Sequence, residues 1–422
     1  MITKLKNIFN SRSSFIKNIS TLLSGTVVSQ LIMVVSSPIL TRLFTPNDFG
    51  IFSLFVSVSG IISVIATLRY EMAIMLPKET KKSFNLLILS ILISFIISFI
   101  TFLLILAFNK FFVKTFELDK IGKWILLVPF SVLFTGLYQS MNYWVNKNKS
   151  YKELSVSRVL QSSSTVVINI IAGLFKISGG LILGTLFGQI FSFFYLLLKS
   201  FKRRLLKLIN FRLIKKLAVE YSDFPIKSTP GIFLNVLANY FPVILISTLY
   251  GNTVLGFFAL IIKILNMPLG IIGSAVSQVF YQESNDLKSN TKLLDLFKKT
   301  STRLALIFTI PAIIILLFGE TIFAVVFGQE WAEAGRLSKI FIPYYAMRFI
   351  FSTQSTILTT KRKIGIELAF NFIFLVLQIA GIYIGYYFFT SYIYSFTFLT
   401  ASGFIMYSAL GVILYKLLKK EN

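Results

Sequence analysis

Blocks of apolar residues, each close to twenty long and separated by short polar or charged stretches, repeat along the whole chain. A helix rises 1.5 Å per residue, so about 20 apolar residues cross a hydrocarbon layer about 30 Å thick. Windows of that length predict spans at 19–43, 50–68, 84–108, 124–145, 154–175, 179–198, 230–250, 254–279, 304–318, 337–358, 364–388 and 391–415. The pattern therefore predicts an all-α membrane protein of twelve transmembrane helices, with both termini on one side. The ninth span is the shortest. It ends before Glu320 and is expected to gain length from 321–327 by tilting or re-entering.

Composition agrees, with 55% hydrophobic residues and a mean hydropathy of +0.79. The block at 19–43 is too long for a signal-peptide core and is read as a retained span. A net charge of +26 would suggest nucleic acid in a soluble chain, but membrane topology explains it better. The predicted N-terminal segment, even-numbered connections and C-terminus carry 31 of the 42 Lys and Arg residues, and the odd-numbered connections carry 7. The positive-inside rule then places both termini in the cytoplasm. The connection 109–123 is the exception, with Lys110, Lys114, Lys120 and Lys123 partly offset by Glu117 and Asp119. Trp124 and Trp144 are expected at opposite interfaces, and Tyr383, Tyr386, Tyr387, Tyr392 and Tyr394 in an outer aromatic belt.

The chain contains no Cys and no His, which excludes thiolate nucleophiles, haem ligation and imidazole acid-base chemistry. It has no G-x-x-x-x-G-K-[ST] phosphate loop. No catalytic residue, metal or cofactor is assigned, and energy is expected from a gradient, the membrane potential or a partner.

The chain is also written twice. Thr41 to Leu54 matches Ser247 to Leu260 at an offset of 206, sharing Leu43/Leu249, Gly50/Gly256, Phe52/Phe258 and Leu54/Leu260. Lys147-x-Lys149-x-x-x-Glu153-Leu154 recurs as Lys361-x-Lys363-x-x-x-Glu367-Leu368. Both matches fall at equivalent connections, which predicts parallel repeats: a six-helix lobe at 1–198, a basic cytoplasmic linker at 199–227 and a second six-helix lobe at 228–422. Leu205, Ile209, Leu213 and Leu217 recur every four residues among the linker's cations. That suits a helix on an anionic leaflet, and equally a solvated connection.

Four cations lie inside or at the rim of apolar blocks: Arg42, Arg158, Lys263 and Arg348. No carboxylate sits in the middle third of those blocks. A charge in hydrocarbon costs about 2.5–3.5 kcal/mol on insertion scales and marks a functional position. Lys263 shares a helical face with Gly256, Ala259, Asn266, Gly270, Ser274 and Ser277, and Arg348 with Tyr344, Ser352, Ser355 and Thr359. Arg158 lines up with Ser162, Thr165 and Asn169. Arg42 and Arg158 lie nearer span ends and have the reach to snorkel. Gln30 shares a face with Thr26, Ser37 and Thr41, near a kink expected at Pro38, and Asn235 and Asn239 lie one turn apart between Pro230 and Pro242. Stripes of small residues alone, such as Ser90, Ser94 and Ser98, are read as helix packing. Glu71, Glu153 and Glu367 are expected to pair with Arg69, Lys149 and Lys363.

Four stretches resemble the polysaccharide transporter family, the oligosaccharide-lipid flippases of the multidrug/oligosaccharidyl-lipid/polysaccharide exporter superfamily. They are Thr41-Arg-Leu-Phe-Thr-Pro-Asn-Asp-Phe-Gly50, Arg69-Tyr-Glu-Met-Ala-Ile-Met-Leu-Pro77, Leu269 to Tyr281, and Phe327-Gly-Gln-Glu-Trp-Ala-Glu-Ala-Gly335. The resemblance implies a V-shaped, two-lobed bundle that moves an undecaprenyl-diphosphate-linked oligosaccharide, an O-antigen unit or a related one, across the membrane by alternating access. It further implies a cationic cavity, fitted here by Lys263 and Arg348 with Arg42 and Arg158 as further members. The implied partners are that lipid-linked substrate, membrane lipids and other polysaccharide assembly proteins. The rival readings are a membrane-embedded glycan polymerase or ligase, which would need a longer outer loop, and a multidrug exporter, which would need intramembrane acids.

Overall fold

The computed structural model describes residues 24–116, 122–201, 203–273, 276–277, 279–280, 283–284, 290–361 and 363–420. The start of the first predicted span (19–23), the basic residues before it, Glu117, Asp119, Lys120, Lys202, Ser274 and Tyr281 lie outside these. The described residues are helical, with no strand among them.

Over the described residues, every predicted span falls on helix. In chain order the helices are α1 (Ser24–Leu43), α2 (Pro46–Ser63), α3 (Thr80–Phe116), α4 (Val128–Lys147), α5 (Tyr151–Leu174) and α6 (Gly180–Ser200). A short helix α7 (Phe211–Glu220) comes next, then α8 (Thr229–Tyr250), α9 (Asn252–Pro268), α10 (Asn290–Phe327), α11 (Ala332–Ser352), α12 (Ile364–Phe389) and α13 (Tyr392–Lys420). Among the described residues ten of these are long and apolar enough to cross a membrane, α2 and α11 being outside that set. Thr45 starts α2 with a local cap, its amide and hydroxyl donating to Asp48 Oδ2 at 3.0 and 2.8 Å. The expected kink in α1 falls at Ser36, two residues before Pro38.

Two compact units emerge, one of residues 1–40 and 58–233, the other of 41–57 and 234–422. In the first, α3, α4 and α6 bury Phe84, Leu87, Leu137, Met141 and Leu196. In the second, α11 is central, with Phe341, Tyr345 and Phe349 almost fully buried.

Four expectations change. The ninth span does gain length from 321–327 as expected, but it neither ends before Glu320 nor re-enters: α10 runs unbroken through Pro311 and past Gly319 and Glu320 to Phe327. A proline costs one backbone donor and a glycine little more than entropy, neither enough to end a helix held by neighbours on α11. The eighth span stops as a regular helix at Pro268 and widens into a π-turn at Leu269–Gly273. The wider turn breaks the 3.6-residue spacing at Gly270, so the face shared by Gly256, Ala259, Lys263 and Asn266 is a regular helical face only as far as Pro268. Trp144 is no interfacial anchor; it is 2% exposed and packs edge-on against Phe84 at 5.4 Å. The linker's apolar row turns inward: Leu217 is buried and Leu205, Ile209 and Leu213 pack against the core of the first unit, while Phe211, outside that row, stands exposed.

The duplicated motif acquires a spatial meaning. In the second unit a Cβ on Gly50 would strike the carbonyl oxygen of Asn252, and one on Gly256 would strike that of Pro46. Residues 46 and 50 and their counterparts 252 and 256 are separated by the same 206 positions. The two copies therefore cross each other reciprocally, about a local twofold axis, at two glycines that permit backbone to touch backbone.

Candidate functional site

Arg348 sits in the penultimate turn of α11, four and three residues after Tyr344 and Tyr345, which brings all three to one side of the helix. Its guanidinium carbon lies 5.8 Å from the Tyr344 ring and 5.7 Å from that of Tyr345, and Nη1 donates to the Tyr344 hydroxyl at 3.0 Å. Tyr407 of α13 closes the third side, its ring 5.8 Å from Tyr344. Phe370 and Phe374 of α12 pack behind it at 5.3 and 5.8 Å. Room for Tyr344 comes from Gly403, where a Cβ would overlap the ring. Phenol faces and hydroxyls thus replace the carboxylate that usually accompanies a desolvated arginine. Cation–π contacts of this kind contribute about 0.5–2 kcal/mol each.

Asn266 on α9 reaches the Tyr345 hydroxyl, so α9 and α11 share this cluster. Lys263 lies on α9 less than one turn from Asn266 and is half-buried. Among the described residues neither Lys263 nor Arg348 is paired with an acid; the ion pairs found there are Arg69–Glu71, Lys82–Glu79, Lys227–Asp223 and Arg336–Glu333. Ser352 and Ser355 do not extend the polar face, since their hydroxyls bond back to Arg348 O and Ser352 O at 2.5 and 2.8 Å.

The remaining predicted residues go elsewhere. Arg42 donates to Val325 O at 3.1 Å, in the last turn of α10, a favourable place for a cation at a helix C-terminus. Arg158 donates to the Thr26 hydroxyl in the first unit. Its companions Ser162, Thr165 and Asn169 are buried, Thr165 and Asn169 against Gly188 and Gly184 of α6, so that stripe is helix packing. Ser90, Ser94 and Ser98 are packed likewise, Ser94 against Gly136. Asn235 donates to Asn371 Oδ1 at 3.2 Å and Asn239 to Asn235 O at 2.7 Å. Gln30 is half-buried on α1. Glu71 pairs with Arg69 at 3.5 Å, whereas Glu153 accepts from Tyr195 rather than from Lys149. Tyr345 and Tyr407 were not among the expected residues. The i−3 spacing of Tyr345 to Arg348 announces it, and nothing local announces Tyr407.

Two of the family-like stretches meet in the second unit, at the start of α11. Trp331, fully buried, donates from Nε1 to Thr41 O at 2.9 Å and lies edge-on to Phe49 at 4.9 Å. The stretch Arg69–Pro77 packs in the first unit, where Lys147 donates to the carbonyls of Met75 and Pro77.

An all-helical set of apolar spans built in this way defines a multi-pass membrane protein. The structure is similar to the inward-facing conformation of a multidrug resistance MATE family transporter of the MOP superfamily, with a TM-score of 0.74, 15% identity, and coverage of 94% of this chain and 99% of the other. It is also similar to the lipid II flippase MurJ in an inward closed conformation, with a TM-score of 0.73, 12% identity, and coverage of 96% and 87%. The polysaccharide biosynthesis protein family model matches residues 39–336, and the chain belongs to that family. Capsular polysaccharide biosynthesis protein CapF of Staphylococcus aureus is 23% identical over 374 residues, 86% of this chain and 90% of its own length.

Proposed function

We propose that this protein is a flippase that carries an undecaprenyl-diphosphate-linked oligosaccharide repeat from the cytoplasmic to the outer leaflet of a bacterial inner membrane. One observation carries the reading: two cations on packed helices, Lys263 and Arg348, face no acid among the described residues. A lipid diphosphate loses hydration when it enters a bilayer, and unneutralised cations on a polar face replace that solvation through charge-assisted hydrogen bonds. An exporter of cationic drugs calls for the opposite sign. Asn266 and the tyrosine hydroxyls are suited to sugar or phosphate oxygens. Arg42 and Arg158 stand apart from this pair, Arg42 against the last turn of α10 and Arg158 against α1.

On this reading 1–198 and 228–422 act as lobes joined by 199–227, alternating access between leaflets, with both termini cytoplasmic by the lysine and arginine bias. The test is a leaflet assay of lipid-linked oligosaccharide in vesicles carrying Lys263→Ala, Lys263→Arg or Arg348→Ala at normal protein level. Both alanine variants are expected to stall translocation, and Lys263→Arg to retain part of it. Unchanged translocation in both alanine variants sinks the assignment.

A further inference from the structure

Residues 201–223 join two apolar spans, Gly180–Ser200 and Phe224–Tyr250, so the segment begins and ends at one surface of the membrane. It is not loosely held. Asn85, fully buried in α3, donates from Nδ2 to Leu208 O and accepts from the Asn210 amide, both at 2.9 Å. The Asn210 side chain then caps α7 by accepting from the Leu213 amide at 3.0 Å. The Tyr70 hydroxyl donates to Ala218 O at 2.7 Å, and Ile214 and Leu217 are buried beneath. These bonds fix which side of α7 faces away from the protein.

That outward side is unusual. At 100° per residue, Phe211, Lys215, Val219, Arg212 and Lys216 succeed one another around an arc of roughly 140°, opposite Ile214 and Leu217. Phe211 is 74% exposed and Val219 73%, and the turn before α7 adds Leu206 at 49% beside Arg204 and Lys207. No acidic residue falls on the arc. A face held only by water explains the cations but leaves a phenylalanine and a valine unsheltered. A leaflet surface satisfies both groups, with apolar side chains at the headgroup–acyl boundary and ammonium and guanidinium groups among phosphates.

We propose that α7 and the turn before it form an interfacial anchor that binds the headgroups of acidic phospholipids in the bilayer the protein spans. The anchor is independent of what the protein transports. The occupant is set by continuity with the two flanking spans and by the sign of the charge. Clamped by Asn85 and Tyr70, α7 ties the first unit to the leaflet at the point where the chain leaves for the second.

The test uses the full chain with Phe211→Trp in vesicles where either phosphatidylglycerol or phosphatidylcholine carries brominated acyl chains, the emission of the native tryptophans being taken from the parent. The added indole is expected to be quenched, about threefold more when phosphatidylglycerol is the brominated lipid at equal fraction. Replacing Arg204, Lys207, Arg212, Lys215 and Lys216 together by Gln is expected to bring that ratio to about one. An unquenched indole, or equal quenching by both lipids before neutralisation, overturns the proposal. So does capture of RNA or an acidic protein by a face that lipid does not quench. Where Phe211→Trp does not fold, phosphatidylglycerol retained by purified parent and five-fold variant is weighed by mass spectrometry. Equal retention overturns the anchor, and a loss of about half or more supports it.

Discussion

Arg158 and Arg348 are the same residue type, each half-buried in a helix and each the head of a polar stripe at steps of three and four. Their surroundings differ entirely. Arg158 is met by a single threonine hydroxyl, and the stripe below it is consumed in packing α5 against the glycines of α6. Arg348 is met by aromatic faces from two helices, and the neighbouring helix α9 contributes Lys263, a second cation without an acid. Spacing along a helix thus announces a polar face, but the opposing helix decides whether that face is glue or a site. Small residues opposite make glue, and large aromatic ones hold the charge in reserve.

The widest gap between the two regions should appear in transport. Arg348→Ala is expected to slow translocation by about a hundredfold, equivalent to about 2.7 kcal/mol. Arg158→Ala is expected to change it by no more than about twofold, because its partner is a neutral hydroxyl that water replaces. The leaflet assay at matched protein levels measures both. Equal losses would erase the distinction between the two arginines and return Arg158 to the site.

Most of the fold was legible because a bilayer enforces it: apolar blocks of spanning length have to be helices, and over the described residues each predicted block falls on helix. The duplication at an offset of 206 was legible too, though not that its copies cross at Gly50 and Gly256. What escaped depends on tertiary register. Ser162, Thr165 and Asn169 resembled a lining because nothing in their own helix reveals Gly184 and Gly188 across from them. The face of α9 reads as continuous to Ser277 because spacing arguments assume 3.6 residues per turn, and the π-turn after Pro268 breaks that assumption. Trp144 looked like an interfacial anchor because its position along the span was visible and its burial against Phe84 was not.

The glycines offer a second, smaller contrast, in stability. A methyl at Gly184 would overlap the Asn169 side chain and crowd Thr165 O; a methyl at Gly403 would overlap the Tyr344 ring. Each alanine variant is expected to cost about 1–3 kcal/mol through overpacking, read as a lowered unfolding temperature in detergent. Transport separates them. Gly403→Ala displaces the tyrosine that holds Arg348 and should also slow translocation severalfold, whereas Gly184→Ala should lower stability alone. Loss of transport in Gly184→Ala at temperatures where it remains folded would assign the α5 stripe a role beyond packing.

The finest contrast lies in single hydroxyls. Tyr344→Phe keeps the ring over Arg348 but removes the 3.0 Å acceptor, and Thr26→Val keeps the shape of α1 but removes the acceptor of Arg158. A hydrogen bond to a charged group is worth about 1.5–3 kcal/mol where the group stays desolvated and less where water reaches it. In the first unit the loss should register only as a small drop in thermal stability. In the second, Arg348 keeps its cation–π faces and so stays in place, but one of its donors is freed. If that donor serves an anionic substrate, Tyr344→Phe should bind substrate as tightly as the parent or slightly more so, with release and therefore turnover slowed. Weaker substrate binding in Tyr344→Phe would mean instead that the phenol itself touches the substrate and that Arg348 works through it.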